Sequence, residues 1–219
     1  MSFYIDLATA LDAADIAARV QGSTLYVPIN PQLEMQFVAI DEQLPAANVY
    51  IASAAAAEND VDAPTLVAGD DPDNDEDFVT TLVAVVFSVD DAVAKVEEIL
   101  ATEQVVDALE NLLLGDDPRL AQLDFYQDLN EPFQVCADIA SRSQLQVVLA
   151  AVDGEPVANV SFLTLGSEER EATSELSEAN PDVEVLQLGE FHDFELLLEA
   201  LHLASEKAEE WEVQLSPVE

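Results

Sequence analysis

The sequence is poor in basic residues, cysteine and glycine. Its 219 residues include six lysines and arginines together, one cysteine and six glycines. The single cysteine, Cys136, excludes an intramolecular disulfide and a cysteine zinc cluster. The scattered glycines form neither a phosphate-binding Walker loop nor a dinucleotide-binding fingerprint. The usual nucleotide-binding and zinc-cluster motifs are therefore missing.

Long apolar segments and a basic N-terminal segment are also missing. No apolar run approaches the roughly 20 residues that cross a bilayer. The first six residues, Met1-Ser2-Phe3-Tyr4-Ile5-Asp6, lack the positive charge that begins a secretory signal. The sequence therefore predicts a cytoplasmic protein with no membrane partner.

Residue patterns typical of catalysis are absent as well. The serines lack the Gly-x-Ser-x-Gly setting of a hydrolase nucleophile. His192 and His202 lie ten positions apart in a region predicted to be one helix, so they would point about 280° apart and share no ligand. The sequence therefore predicts a protein that is not an enzyme, with no catalytic residue and no cofactor.

Acidic residues and hydrophobic residues are abundant. Aspartate and glutamate number 46, the formal net charge is −40, and 50% of the residues are hydrophobic. The hydrophobic content supports a packed core, whereas the charge repels nucleic acid and attracts a basic surface. Two explanations of the charge remain open. One is a basic protein partner, and the other is general adaptation of the surface to a saline habitat.

Four alternating aspartates are the candidate metal ligands: Asp71, Asp73, Asp75 and Asp77. Their spacing resembles the start of a calcium-binding loop. The sixth position of that loop is Glu76 instead of glycine, and the twelfth is Leu82 instead of glutamate. Weak binding of a divalent ion and a solvated acidic loop are the two interpretations.

Two short motifs occur twice and predict a tandem duplication. Ala14–Ala17 followed by Arg19 returns as Ala137–Ala140 followed by Arg142, and Ala47-Asn48-Val49 returns as Ala158-Asn159-Val160. We place the two repeat units at 1–115 and 116–219. The first unit has an enlarged hairpin and the acidic loop. Arg19 and Arg142 are expected in the last turns of equivalent helices.

Hydrophobic periodicity predicts a helix-strand-strand-helix-strand-helix order in each unit. Helices are expected over 5–20 and 130–140, and again over 167–179 and from 194 onwards. Asn30-Pro31 and Asp153-Gly154 predict hairpin turns. The apolar run 80–89 predicts a strand that is buried on both faces. The fold class is therefore α+β, with mixed sheets covered by helices.

Two predicted strands, Leu25-Tyr26-Val27-Pro28 and Val160–Thr164, resemble segments of the SseB (enhanced serine sensitivity) family of small bacterial proteins. Leu25-Tyr26-Val27-Pro28 is similar to an early strand of that family that ends in Val-Pro. Val160–Thr164 stands where the family has a strand ending in Phe-Thr-Ser before a helix, and this chain departs from it at Leu163-Thr164-Leu165. The resemblance implies a cytoplasmic protein with a binding or regulatory role and no catalytic residues to transfer.

Three functions are carried forward from the sequence. The leading prediction is a scaffold or regulator that acts through protein–protein contacts, with a basic protein as partner. The second is an acidic mimic of DNA that occupies the DNA-binding surface of a basic protein, and the third is an enzyme with a carboxylate metal site. The oligomeric state is left open.

Overall fold

The protein is an α+β protein with two antiparallel sheets. The computed structural model describes residues 3–41, 44–54, 78–164 and 183–215. The chain divides into two compact units, Met1–Leu100 and Ala101–Glu219. The division falls within a helix, and the sequence-based limits of the repeat units, 1–115 and 116–219, stay a prediction.

The first unit contains a helix, a five-stranded sheet and the start of a second helix. Its elements are α1 (Phe3–Ala13), β1 (Arg19–Gln21), β2 (Thr24–Asn30), β3 (Leu33–Ala39), β4 (Ala47–Ala54), β5 (Phe78–Val86) and α2 (Val89–Leu114). The strands form sheet A in the order β1-β2-β3-β4-β5, and each pair of neighbouring strands is antiparallel. The predicted hairpin at Asn30-Pro31 is confirmed, because β2 pairs directly with β3.

One face of sheet A forms the core of the first unit. Leu25, Phe37 and Val49 lie opposite one another on neighbouring strands and are fully buried. Leu11 of α1 and Val96 of α2 belong to the same cluster. Removal of these apolar side chains from water, at roughly 25 cal/mol per Å², is what holds the helices on the sheet.

The second unit repeats the arrangement of a five-stranded sheet with a long final helix. After a short 3-10 helix at Pro118–Leu120, its elements are β6 (Phe125–Gln127), β7 (Gln134–Asp138), β8 (Ser143–Val152), β9 (Glu155–Thr164), β10 (Glu184–Phe191) and α3 (Phe194–Leu215). Sheet B runs β10-β9-β8-β7-β6 and is antiparallel throughout. Asp153 and Gly154 have φ angles of 52° and 81°, so the predicted tight turn between β8 and β9 is confirmed.

The core of the second unit lies between one face of sheet B and the helices. Leu145, Val160 and Phe162 are fully buried there, and Leu201 of α3 packs in the same cluster. The rings of Phe162 and Trp211 are nearly perpendicular, with their centroids 5.5 Å apart. The helix predicted from 194 onwards is confirmed, and its apolar side packs on the sheet.

The α+β class is confirmed, but the predicted mixed sheets are wrong. Every strand pair in the described residues is antiparallel, and strands that are neighbours in a sheet are also consecutive along the chain. The helix predicted over 167–179 lies outside the described residues. The helix predicted over 130–140 is also wrong, since β7 occupies that stretch and pairs with β6 and β8. Val135, Cys136 and Ala137 are all buried, so their apolar pattern does not distinguish a strand from a helix.

The first helix is shorter than predicted. It ends at Ala13, and Asp15 takes a left-handed φ of 56°. The Ile16 amide then donates to the Leu11 carbonyl oxygen at 2.9 Å, which closes the helix end. The predicted helix over 5–20 is therefore wrong beyond this point, and the chain turns before β1.

The repeated motifs do not all occupy equivalent positions. Ala14–Ala17 lies between α1 and β1, whereas Ala137-Asp138 ends β7. Ala47-Asn48-Val49 and Ala158-Asn159-Val160, by contrast, both lie in the fourth strands of their sheets, β4 and β9. The two sheets share one strand order, and the origin of that order in a duplication stays a prediction.

Candidate interaction surface

Sheet A has a second face, opposite its core, which we call the outer face of sheet A. Strand register aligns its side chains in three rows. They are Arg19, Tyr26, Gln36, Tyr50 and Leu82; then Gln21, Thr24, Val38, Asn48 and Val85; then Pro28, Glu34, Ala52 and Thr80. Directly opposite residues on neighbouring strands point to the same side of a sheet, so each row crosses one face.

The outer face of sheet A carries almost no net charge. Its three rows contain one carboxylate, Glu34, and one base, Arg19. Arg19 Nη2 lies 2.6 Å from Glu34 Oε2, and the guanidinium carbon lies 5.0 Å from the centre of the Tyr26 ring. An exposed pair of this kind adds little stability, but it cancels the charge of the face. A face without unpaired charge is unusual in a chain of net charge −40.

The edge strand of this sheet, β5, exposes apolar side chains. Val79, Leu82, Val83 and Val85 are each at least 40% exposed, and Phe87, just beyond the strand, is 68% exposed. Among the described strands β5 pairs with β4 alone. The prediction that this strand is buried on both faces is therefore wrong. Clustered exposed apolar residues mark an interaction surface in soluble proteins.

The register between β4 and β5 is interrupted at one residue. Tyr50 lies opposite Leu82 and Val49 lies opposite Ala84, so Val83 has no partner on β4. This bulge increases the local twist of the strand. It leaves an unbroken run over Phe78–Leu82, the longest regular part of β5.

The sequence-predicted metal ligands Asp71, Asp73, Asp75 and Asp77 lie outside the described residues. Within 3–41, 44–54, 78–164 and 183–215, no group of three or more histidine, cysteine, aspartate or glutamate side chains is placed to hold a metal ion. A depression of about 330 Å³ lies beside Leu112, Leu120 and Phe125, and Asp124 is the one ionisable residue that lines it. A single carboxylate provides no acid–base pair.

The two histidines are not on one helix, contrary to the prediction. His192 precedes α3, whereas His202 lies within it. His192 Nδ1 lies 3.4 Å from Glu155 and its Nε2 lies 3.2 Å from Glu190, both on the surface. The histidine is therefore held between two exposed carboxylates, and no buried nucleophile adjoins it in the described residues.

The two repeat-related arginines lie in different settings from those predicted. Arg19 is in β1 and Arg142 is in the turn between β7 and β8, so neither ends a helix. Both instead face a glutamate. Arg142 Nε lies 3.8 Å from Glu212 Oε1, and Arg19 pairs with Glu34. The C-terminal helix position predicted for these arginines is wrong.

Glu212 is the buried carboxylate of the second unit. Its Oε1 accepts from Ser141 Oγ at 2.6 Å, and its Oε2 accepts from the Arg142 amide at 2.9 Å and from Ser143 Oγ at 2.7 Å. Burial alone would raise the pKa of Glu212, but these hydrogen bonds outweigh it and hold the pKa below its usual 4.5. Glu212 therefore fastens α3 to the turn between β7 and β8.

A second ionic cluster lies at the short 3-10 helix. Asp117 Oδ1 accepts from the backbone amide of Arg119 at 2.8 Å, and Arg119 Nη2 lies 2.7 Å from Asp117 and 3.0 Å from Glu195 of α3. The hydrogen bonds from Arg119 lower the pKa of Asp117 to about 2. The arginine already holds two carboxylates, so the cluster is structural.

The corresponding outer face of sheet B is less accessible. Its central row comprises Tyr126, Cys136, Gln146, Ser161 and Gln187. Cys136 and Ser161 are buried, and Ser161 Oγ donates to Gln187 Oε1 at 3.0 Å. Burial raises the pKa of Cys136 to about 11, so the thiolate that would be reactive is scarce at neutral pH. The accessible uncharged surface is therefore the one on sheet A.

Comparisons with known proteins find no related protein. No family model, no curated protein and no solved structure matches the chain. Among the described helices, none combines the length and the apolar character that a bilayer span requires. The fold defines the class, an α+β protein with two antiparallel five-stranded sheets, and the function has to be argued from the surface itself.

The sequence did not reveal this surface. An apolar run such as 78–86 is compatible with a central strand or an edge strand, because the tertiary fold determines which strands lie beside it. Thr80-Thr81 within the run was the available signal, since adjacent polar residues place one on each face of a strand. The pairing of Arg19 with Glu34 also depends on strand register, which spacing along the chain does not give.

Proposed function

We propose that the protein is a non-enzymatic scaffold or regulator that acts through protein–protein contacts, and that it contacts a basic partner through the outer face of sheet A and β5. One observation carries the proposal. In a chain with 46 acidic residues, this face holds a single carboxylate, already paired, and ends in an exposed apolar strand. Association removes apolar surface from water, while the surrounding acidic surface attracts basic proteins.

The other two predicted functions remain predictions. A DNA mimic requires carboxylates in two rows at phosphate spacing, and a metal enzyme requires converging ligands. No feature of the described ranges favours either of them. The resemblance to the SseB family also stays a prediction, and it implies the same binding role as the one proposed here.

The proposal is tested by capturing partners with matched surface variants. The test variant is Leu82→Glu combined with Val85→Glu, which places two charges on the exposed apolar strand. The control is Leu129→Glu, which changes a 94% exposed apolar residue of the second unit in the same way. Both purified variants are first compared with the wild type by circular dichroism and thermal melting.

We expect the wild type and Leu129→Glu to retain the same basic partner from native lysate, and the Leu82→Glu/Val85→Glu variant to retain at least roughly tenfold less of it. Retention should fall between about 0.1 and 0.5 M potassium chloride, because salt screens the attraction. Equal recovery with both folded variants would contradict the proposed surface.

A further inference from the structure

We propose that the outer face of sheet A contains a site for an arginine side chain of the basic partner, formed by the ring of Tyr50 and by Oε1 of Glu34. This inference rests on the proposed function and names the side chain that the surface recognises. It is supported by the contacts of Arg19, by the register of β2, β3 and β4, and by the charge of the chain.

Arg19 shows how this face holds a guanidinium group. Its guanidinium carbon lies 5.0 Å from the centre of the Tyr26 ring, and its Nη2 lies 2.6 Å from Glu34 Oε2. A planar guanidinium can stack on a tyrosine ring and donate to a carboxylate at the same time, whereas the compact ammonium of lysine lacks the planar fork. A tyrosine beside a carboxylate is therefore an arginine-binding pair on this surface.

The strand register gives Glu34 a second tyrosine on its other side. Gln36 lies opposite Tyr26 of β2 and opposite Tyr50 of β4. Glu34 precedes Gln36 by two residues on β3 and points to the same face, so it lies diagonally from both tyrosines. Diagonal neighbours in an antiparallel sheet are about 7–8 Å apart, a distance that long side chains span. Tyr50 and Glu34 thus repeat the pair that Arg19 contacts.

Among the described residues, no base lies against the ring of Tyr50. Arg19 is the one cation placed over an aromatic ring, and Tyr50 belongs to neither of the two ring pairs. Arg19 bonds Glu34 through Oε2, and the Glu34 side chain keeps 21% of its surface exposed. A carboxylate has about four acceptor positions, so Oε1 can accept from a further guanidinium. Tyr50 is half-buried, which leaves part of its ring for a partner.

The charge of the chain selects a basic occupant. The net charge of −40 attracts a cation from another protein, whereas a second copy of this chain would bring a further −40 to the same surface. Leu82 lies opposite Tyr50 and is 51% exposed, so it offers apolar surface to the methylene groups of an arginine and to an apolar neighbour in the partner. The occupant that matches the ring, the carboxylate and the leucine is an arginine flanked by apolar residues.

Short peptides test the site directly. The probe is acetyl-Leu-Arg-Leu-amide, which is added to the isotope-labelled full-length protein while the amide chemical shifts are followed by NMR. One control peptide has lysine in place of arginine, which keeps the charge and removes the planar fork. A second control peptide has citrulline in place of arginine, which keeps the planar shape and removes the charge.

We expect the arginine peptide to shift the amides of residues 34–36 and 50–52 in a saturable manner at up to about 10 mM peptide, because an exposed ring and an exposed ion pair each contribute weakly. The lysine peptide should bind about threefold more weakly than the arginine peptide, and the citrulline peptide about fivefold more weakly. Dissociation constants from the titration curves measure these ratios.

Matched variants separate the contribution of the ring from that of the carboxylate. Tyr50→Leu should weaken binding of the arginine peptide about threefold, and Tyr50→Phe, which keeps the ring, should stay within about twofold of the wild type. Glu34→Gln should weaken binding about threefold. The controls are Tyr126→Leu and Glu209→Gln, which make the same changes at exposed residues of the second unit and should leave binding unchanged. Circular dichroism first establishes that each variant is folded.

Three outcomes would overturn the inference. They are binding of the lysine or citrulline peptide as tightly as the arginine peptide, unchanged binding by a folded Tyr50→Leu variant, and the absence of shifts at residues 34–36 and 50–52. The failure of the broader proposal is distinguishable. If Leu82→Glu/Val85→Glu loses the captured basic partner while Tyr50→Leu retains it, the arginine site fails and the proposed function stands. If Leu82→Glu/Val85→Glu retains the partner, the proposed function fails whatever the peptides show.

Discussion

Single residues show that the acidic side chains do not all serve the same purpose. Glu212 is buried and accepts three hydrogen bonds from the turn between β7 and β8. Glu34 neutralises Arg19 on an otherwise uncharged face. Glu209, one turn from Ser205 on α3, is simply exposed to solvent. Composition alone makes these carboxylates equivalent, whereas their partners separate them into structural, neutralising and solvated groups.

The Glu212→Gln variant tests the structural role of this carboxylate. The amide nitrogen of glutamine cannot accept a hydrogen bond, so at least one of the donors at Ser141, Arg142 or Ser143 would lose its partner. We expect the free energy of unfolding at neutral pH to fall by about 2 kcal/mol. Urea denaturation measures the change, and Glu209→Gln, with an exposed side chain, should stay within about 0.5 kcal/mol of the wild type.

The same residue predicts how this difference depends on pH. The folded pKa of Glu212 lies below its usual 4.5, so its stabilisation is present above that value and is lost as the pH falls through the folded pKa. The difference in the free energy of unfolding between the wild type and Glu212→Gln should therefore decrease below pH 4.5. A gap that stays constant down to acid unfolding would show that the carboxylate charge is not involved.

At the scale of helices and strands, turns and helix caps can be predicted from local sequence, but the strands that lie beside each other in a sheet cannot. Asp153-Gly154 is a local signal and forms the predicted tight turn, and Ser88 is a local signal that accepts a hydrogen bond from the Asp91 amide at the start of α2. Strand β7 was mistaken for a helix because it is buried on both sides, and the edge position of β5 depends on which strands surround it. Hairpin turns and helix starts depend on residues that are close in sequence. The order of strands in a sheet, and the face that is exposed, depend on pairing between residues that are far apart in sequence.

The start of α2 provides a test at this scale. The Asp91 amide donates to Ser88 Oγ at 3.0 Å, which satisfies an amide that has no partner within the helix. We expect Ser88→Ala to lower the free energy of unfolding by about 1 kcal/mol. Ser205→Ala is the control, because Ser205 Oγ donates to the carbonyl of His202 within α3 and alanine suits that position. Equal losses in urea denaturation would show that Ser88 is not acting as a cap.

Across the whole molecule, net charge and packing oppose each other. The carboxylates that give the chain its net charge of −40 repel one another in the folded state, whereas two apolar clusters, one in each unit, favour folding. Within the described ranges, the lysines lie against carboxylates: Lys95 bonds Glu98 at 2.8 Å and Lys207 bonds Glu210 at 3.0 Å. Exposed pairs of this kind offset little of the repulsion, so dissolved ions must supply most of the screening.

Salt should therefore stabilise the protein. Between about 0.05 and 1 M potassium chloride the screening length falls from well above 10 Å to about 3 Å. We expect the melting temperature to rise by on the order of 5 °C over that range, which corresponds to about 1 kcal/mol for a unit of this size. Differential scanning calorimetry measures the shift, and an equal osmolality of sucrose controls for excluded-solute effects. A melting temperature independent of ionic strength would contradict this account of the charge.

The unmatched residue at Val83 has a consequence for aggregation. A long, uninterrupted apolar edge can template the addition of identical strands without limit, as in an amyloid fibril. Because the pairing register of β5 breaks after Leu82, the regular hydrogen-bonding template extends over a short length and then twists away. The bulge therefore limits the length of β5 over which identical strands could pair in register, and this disfavours the growth of a fibre from this edge.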